Sequence, residues 1–532
     1  MKKLLSFAVI ILFSATMFAG GLVTNTNQSA TWVRLPARDA STSIDAVYFN
    51  PAGLMKMENG FHFSFSNQSI FQTKEVTSSY ANLNNPLYIG NVSAPLFPTV
   101  FAVYKMENFA FSFGFNPVGG GGGAVFEDGL PSFEMGPSDL VPSLASQGAS
   151  AYRLNTNFEG SSIFFGYQAG VSYKINDMIS VYGGARYVTA KNTYDGYLTD
   201  IELDMGAGTW MRADGIFTDL AAQASGAAAG MEPLIAPVGA LTFAEAEGAG
   251  AITAIQRATL EGGLLAFGVP QASIDGMTLA QAQGTYTGIA GQNSATAILL
   301  GNQTAETEQT ATGITPIVGI NISPNDKLNI GIKYEFATKL EFTNNTTQEI
   351  ITDFEADGTP VTLFPNGGTF RGDMPAMLSV GVDYQITDAL SASIGTHYYF
   401  DKSADYGKKI DDVYVENSEV IDNNFFELAF GLEYGVGEKI LLSGGFLYAK
   451  TGVNNDYQSD LSYSLTSGTI GIGGAYIISD NIMLNLGFGN TMFVDGEATI
   501  DHVFKATGTV IPVIESYTKS NIFVAVGLDF SF

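Results

Sequence analysis

The 532-residue chain contains no cysteine, which excludes disulfides and thiolate metal sites. Charged residues make up only 14% of it, and they are lopsided: 24 Lys+Arg against 52 Asp+Glu give a formal charge of −28. Neutralising phosphates needs clustered Lys and Arg, so this balance argues against a nucleic-acid partner. Histidine is limited to His62, His397 and His502, with no paired-His spacing and no calcium-loop pattern. No metal site or cofactor is therefore expected. Beyond the N-terminus, no apolar run reaches the ~18 residues that a membrane-crossing helix needs.

Glycine and aromatic residues are plentiful instead (Gly 61, Phe 38, Tyr 24), which suits many strands better than helices. The chain opens MKKLLSFAVIILFSATMFAGG: two lysines, a short apolar core, then small residues. That is the layout of a secretory signal peptide, with residues 1–19 removed and the remainder exported.

Strict alternation runs through most of the remaining chain. In KLNIGIKYEFATKLEF (327–342), Leu328, Ile330, Ile332, Tyr334, Phe336, Leu340 and Phe342 are expected on one face. Lys327, Asn329, Lys333, Glu335, Lys339 and Glu341 are expected on the other, since successive strand side chains point to opposite sides. FFELAFGLEY (425–434), KILLSGGFLYAK (439–450), GTIGIGGAYI (468–477), NIMLNLGFGN (481–490) and NIFVAVGLDFSF (521–532) repeat the pattern, with Gly, Ala, Ser, Asn or Asp opposite the large apolar residues. No second set of elements is available to cover so much apolar surface, and lipid is the simpler partner. Segments of ~10 residues, apolar outside and polar inside, are the signature of a transmembrane barrel. In the bilayer, only helices or a closed barrel satisfy every backbone hydrogen bond.

Connection lengths give an independent test. Short turns at 106–108, 175–177, 323–326, 386–388, 435–438 and 479–481 alternate with longer stretches at 73–96, 117–157, 203–311, 346–370, 403–421, 452–460 and 497–518. Short turns on one side and long loops on the other are the asymmetry of outer-membrane barrels. These connections join fourteen strands. The fold expected is an all-β, 14-stranded antiparallel transmembrane barrel spanning 59–532, with 203–311 as a long, partly helical external loop. A barrel this wide is not filled by its own side chains, and residues 20–58 are free to serve as a hatch in its lumen.

Several stretches resemble the FadL/TodX family of outer-membrane transporters for long-chain fatty acids and other hydrophobic compounds. AVYFNPAGL (46–54), with Asn50, Pro51 and Ala52, looks like the family's hatch signature. GIKYEFATKLEF (331–342) and MPAMLSVGVDYQITDAL (374–390) look like two of its strand motifs. The resemblance implies a non-enzymatic, passive transporter, monomeric, in the outer membrane of a Gram-negative-type bacterium. A hydrophobic small molecule would be captured by external loops, held in a lumen pocket, and released sideways into membrane lipid after the hatch moves.

The stretch FAFSFGFNPVGGGGG (109–123) builds a strand and then breaks it. It is no phosphate loop, because no Lys-Ser/Thr follows the glycines. Proline removes a ladder donor and glycine removes side-chain bulk. In the resembled family the third strand is kinked beside a lateral opening, so Asn116, Pro117, Gly119, Gly120, Gly121, Gly122 and Gly123 are expected there, the alternative being a plain loop tip. Parity places Arg186, Lys333 and Lys339 inward, where the family implies basic residues for a ligand head group; a wall charge-paired with Glu335 and Glu341 is the alternative. Three other readings stand beside fatty-acid transport: uptake of aromatic or aliphatic hydrocarbons, an outer-membrane lipase working through His62 or His397, and an adhesin-type barrel.

Overall fold

Fourteen antiparallel strands close on themselves in the computed structural model, which describes residues 22–532 apart from 356, 408, 411–412 and 505–506. The expected signal peptide, residues 1–19, lies outside the described residues. The strands are β1 (Gly60–Ser78), β2 (Leu87–Lys105), β3 (Phe109–Phe126), β4 (Ala151–Lys174), β5 (Ile179–Asp204), β6 (Gln303–Asn325) and β7 (Leu328–Glu335 and Glu341–Gln348). They continue with β8 (Thr369–Arg371 and Met377–Thr387), β9 (Leu390–Tyr399), β10 (Phe426–Val436), β11 (Ile440–Lys450), β12 (Ser467–Ser479), β13 (Ile482–Phe493 and Gly496–Phe504) and β14 (Thr509–Ser531). Each pairs with its sequence neighbour, and β14 returns to β1 in register from His62↔Ser531 to Ser78↔Glu515, so no edge is left.

The outward faces are apolar. Phe109, Phe111 and Phe113 on β3, Ile394 on β9, Leu428, Phe430 and Leu432 on β10, and Val524 and Val526 on β14 are all exposed. Tyr104, Tyr173, Tyr384, Tyr434 and Tyr476 ring the end that carries the short turns, the place of an interfacial aromatic girdle. Spanning a bilayer takes ~9–11 residues per strand. Strands β9–β12 have 10–13 residues, whereas β14 and β1–β6 have 18–26, so one side of the barrel stands well above the other.

Several expected loops are in fact strand. The stretch 497–518 is mostly an extended hairpin, and β1 and β2 take up much of 73–96. The expectation for β7 also changes: the strand is interrupted between Glu335 and Glu341, and the faces swap across the break. Leu340 and Phe342 are buried inside, and Lys339 is exposed on the outer face, opposite to the parity expected from the sequence.

The segment 203–311 carries five helices, the longest Ala213–Val238 and Leu279–Leu299. They pack on each other through Met231, Phe243, Leu264, Ile274, Leu279 and Tyr286, a core separate from the barrel's. Capping boxes at Thr242, Thr253 and Thr278 start three of them, each with Glu or Gln three residues on.

A buried N-terminal segment and a break in the wall

Residues 22–55 lie inside the barrel and are almost wholly buried. The helix Ala30–Arg34 rests on β12, β13 and β14, where inward glycines make room: a side chain at Gly471 would collide with the Val33 carbonyl oxygen. Opposite, Asn50, Pro51 and Ala52 dock the segment on β4–β6. The Asn50 amide donates to Asn321 Oδ1 (2.7 Å), and the Pro51 and Ala52 carbonyls accept from the Ser172 (2.6 Å) and Ser180 (2.7 Å) hydroxyls. Pro51 opens the 3-10 turn Pro51–Lys56, a first-turn position that suits its fixed φ.

Buried charges tie the segment to the wall. Arg34 pairs with Glu433 on β10, and His397 on β9 sits between Asp39 Oδ1 (2.6 Å) and Glu427 Oε2 (2.6 Å). On nearby strands, Arg186 (β5) reaches Glu335 (β7) with both terminal nitrogens, at 2.6 and 3.1 Å. Lys333 Nζ contacts Glu335 Oε1 (2.7 Å) and donates to the Tyr48 carbonyl (2.7 Å), and both cations stand over the Tyr48 ring. Of the three basic residues expected in the lumen, Arg186 and Lys333 thus meet on one carboxylate, and Lys339 is outside. Within the segment, Arg38 pairs with Asp45 at 2.8 Å and Ser41 donates to Asp45 (2.6 Å). Burial works against ionising Asp45, but the Arg38 charge and these hydrogen bonds outweigh it and hold its carboxyl below the usual range.

The wall is also broken between β2 and β3. The β2–β3 ladder runs from Lys105↔Ala110 to Val100↔Phe115, stops, and resumes at Val92↔Ala124. Over the gap β3 stays with β4, through irregular pairs at Pro117↔Phe165, Gly119↔Phe164 and Gly122↔Ser162. The backbone groups that β3 withdraws from β2 are taken up by the N-terminal segment. Thr24 bridges Gly119, Asn25 N donates to Val118 O (2.8 Å) and Gly120 N donates to Val23 O (3.1 Å). Gln28 links Pro117 O (2.6 Å) to the Asn116 amide (2.7 Å).

Two of the glycines are required by this geometry. A side chain at Gly119 would meet Val23 O at 2.5 Å, and Gly120 has φ +88° with Ser162 O 2.5 Å from where a Cβ would lie. At Gly123 a Cβ would meet Ser161 at an ordinary 3.4 Å. The rim on β2 is the stretch Ala94-Pro95-Leu96-Phe97-Pro98, whose two prolines offer no ladder donor and whose Leu96 is exposed. The rim begins within the stretch 73–96 expected to be a loop, and two prolines within an alternating stretch are its signal in the sequence.

Above the buried segment the lumen is aromatic. Phe164 packs with Phe342 (ring centroids 5.9 Å apart), Phe342 with Phe370 (5.3 Å), and Tyr194 stacks on Phe364 (5.1 Å). Phe164 also touches the gap, since it lies 2.8 Å from a Cβ built on Gly119. At the outer end a small apolar cleft opens among Phe133, Phe158, Leu198, Leu299, Ile351 and Leu363. The remaining histidines face other partners: His62 lies between Ser531 Oγ (2.9 Å) and the Glu58 carbonyl (3.0 Å), and His502 faces Asp139 (2.8 Å).

No family model matches the sequence, and no curated protein matches it. Solved structures do match the fold. A FadL homologue from Pseudomonas aeruginosa aligns over 97% of this chain and 100% of its own, with a TM-score of 0.59 at 14% identity. A deltaS2S3 mutant of the monoaromatic hydrocarbon channel TodX aligns over 96% and 100%, with a TM-score of 0.50 at 13% identity. The chain therefore has the fold of the FadL and TodX channels, a closed fourteen-stranded antiparallel barrel of the outer-membrane type.

Proposed function

We propose that the protein is an outer-membrane transporter that passively takes up long-chain fatty acids or similar hydrophobic compounds and releases them sideways into the membrane. The observation that carries this reading is the gap between β2 and β3, which joins an aromatic lumen to an outer surface that is itself apolar. An apolar chain crossing water loses roughly 0.8 kcal/mol per CH₂; one passing from aromatic side chains to lipid keeps that energy. The outer cleft at Phe133, Phe158 and Leu363 supports a role in capture, and the segment 22–55 acts as the hatch that closes the lumen below. Because that segment also pairs with the kinked β3, moving its first residues both frees the gap and unblocks the pocket. A labelled long-chain fatty acid should enter cells faster when the chain is present in an outer membrane lacking its own transporter. Uptake equal to that of cells without the chain would refute the reading.

A second reading, a channel for neutral hydrocarbons, is favoured by one observation: Arg186 and Lys333 are already committed to Glu335, so neither stands free for a head group. Under that reading labelled toluene is taken up and fatty acid does not compete with it.

A further inference from the structure

A second pair of basic residues lies elsewhere in the lumen. Lys74 on β1 and Lys519 on β14 are directly opposite in register, both on the inner face, and each is 5% exposed. Like charges placed opposite one another across an antiparallel pair destabilise it, and burial makes the conflict worse. Lys519 is partly satisfied: its ammonium donates to the Tyr463 carbonyl (2.9 Å) and stands over the Tyr463 ring at 4.2 Å. Lys74 makes no hydrogen bond or ion pair with any described residue. Two positions along the same face, Asn521 is 1% exposed, and both its amide nitrogen and its amide oxygen lack partners. Buried polar groups normally find partners, so these orphans need a cause.

The nearby acids do not supply it. Glu515 accepts from the Tyr517 hydroxyl (2.8 Å), Asp460 accepts from the Ser132 amide (2.9 Å), and Glu134 takes the Tyr88 and Tyr152 hydroxyls. The surroundings are apolar. Ile70↔Phe523 and Val76↔Tyr517 flank the site along the β1–β14 pair. On β2, Lys74 is paired with Gly90, whose missing side chain makes room for the Phe126 ring. From Gly90 the ladder to β3 continues only to Val92 and then stops, so the site stands beside the lateral gap.

We propose that Lys74, Lys519 and Asn521 form a subsite for the carboxylate of a long-chain amphiphile, whose apolar tail extends past Val92 and Phe97 toward the gap. This rests on the transport reading above and assigns the head group to the β1–β14 seam instead of Arg186 and Lys333. A carboxylate has two oxygens, one for each ammonium, and charge-assisted hydrogen bonds of this kind are the strong ones. A neutral ester of the same chain would keep the tail contacts and lose these bonds.

The test measures binding of palmitate and of methyl palmitate to the purified full-length chain in detergent, for the wild type, Lys74→Met, Lys519→Met and Lys74→Arg. Heat-modifiable electrophoretic migration checks that each barrel is closed. The wild type should prefer palmitate by about tenfold or more, the size of one charge-assisted hydrogen bond. Lys74→Met and Lys519→Met should erase that preference with methyl palmitate binding unchanged, and Lys74→Arg should restore it. Variants that keep the preference, or that lose both ligands equally, overturn the subsite. A wild type that binds both ligands equally also overturns it while leaving the transport reading intact. A wild type that binds neither overturns both.

Discussion

Glu335 is the group on which the β5–β7 side of the lumen turns, and replacing it is the sharpest way to separate a structural clamp from a ligand site. Arg186 and Lys333 are each 1% exposed, and Glu335 is the acid they share. Glu335→Gln removes one charge, keeps the volume, and leaves two cations buried against one another. Breaking a buried ion pair in this way costs about 3–5 kcal/mol. At 1.4 kcal/mol per tenfold, that is a shift of roughly 10²- to 4 × 10³-fold in whatever equilibrium carries it. Part of the cost falls on the N-terminal segment, because Lys333 holds the Tyr48 carbonyl and Arg186 covers the Tyr48 ring. Trp32 in the hatch is buried, and Trp210 is the other tryptophan, so a Trp210→Phe background makes Trp32 a single reporter. Acrylamide quenching of Trp32 should rise in Glu335→Gln, and conductance in planar bilayers should show openings that the parent lacks. Lys339→Met, exposed on the outer face, should change neither readout. Parental quenching and conductance in Glu335→Gln would refute the clamp.

Other expectations are simpler. Gly120→Val should slow uptake with the barrel still closed, whereas Gly123→Val should leave uptake unchanged, because only the first places a side chain on neighbouring backbone; labelled fatty-acid uptake compares the two. Asp45 should lock the hatch at neutral pH. Its folded value is depressed, so the stabilisation is present above the ordinary carboxylate range (about 4) and is lost as pH falls below it. Trp32 quenching should therefore rise on acidification below about pH 4, with a flatter dependence in Asp45→Asn. Leu264→Ala should destabilise the external helices by about 2–5 kcal/mol and lower their melting by circular dichroism, with the strand signal of the barrel unmoved, because Leu264 belongs to a separate core.

The barrel was legible because an apolar outer face and a polar lumen impose a period of two along the strands, and turn residues mark one end. What the alternation could not supply was any feature that depends on a break in it. The faces of β7 swap after Phe336, which moved Lys339 out and brought Leu340 and Phe342 in. Both Lys74 and the β2 rim fell in a stretch expected to be loop, and β14 was expected to begin only after Lys519. Partners in the hatch were unreadable for another reason. His397 and Asp39 are 358 residues apart, and no local pattern marks a charge whose partner arrives through the lumen. The glycine run was visible as a strand breaker; that the first residues of the N-terminal segment would pair with it was not.

A photoreactive fatty acid can show whether the ligand leaves through the wall. After irradiation of the full-length chain in lipid vesicles, mass spectrometry locates the adducts. Lateral exit should leave adducts on both rims of the gap, among Val92–Val100 on β2 and at Val118 on β3, together with cross-linked membrane lipid. Adducts that bypass the gap and collect around Lys56 and Met57, at the lower mouth of the barrel, would rule lateral exit out.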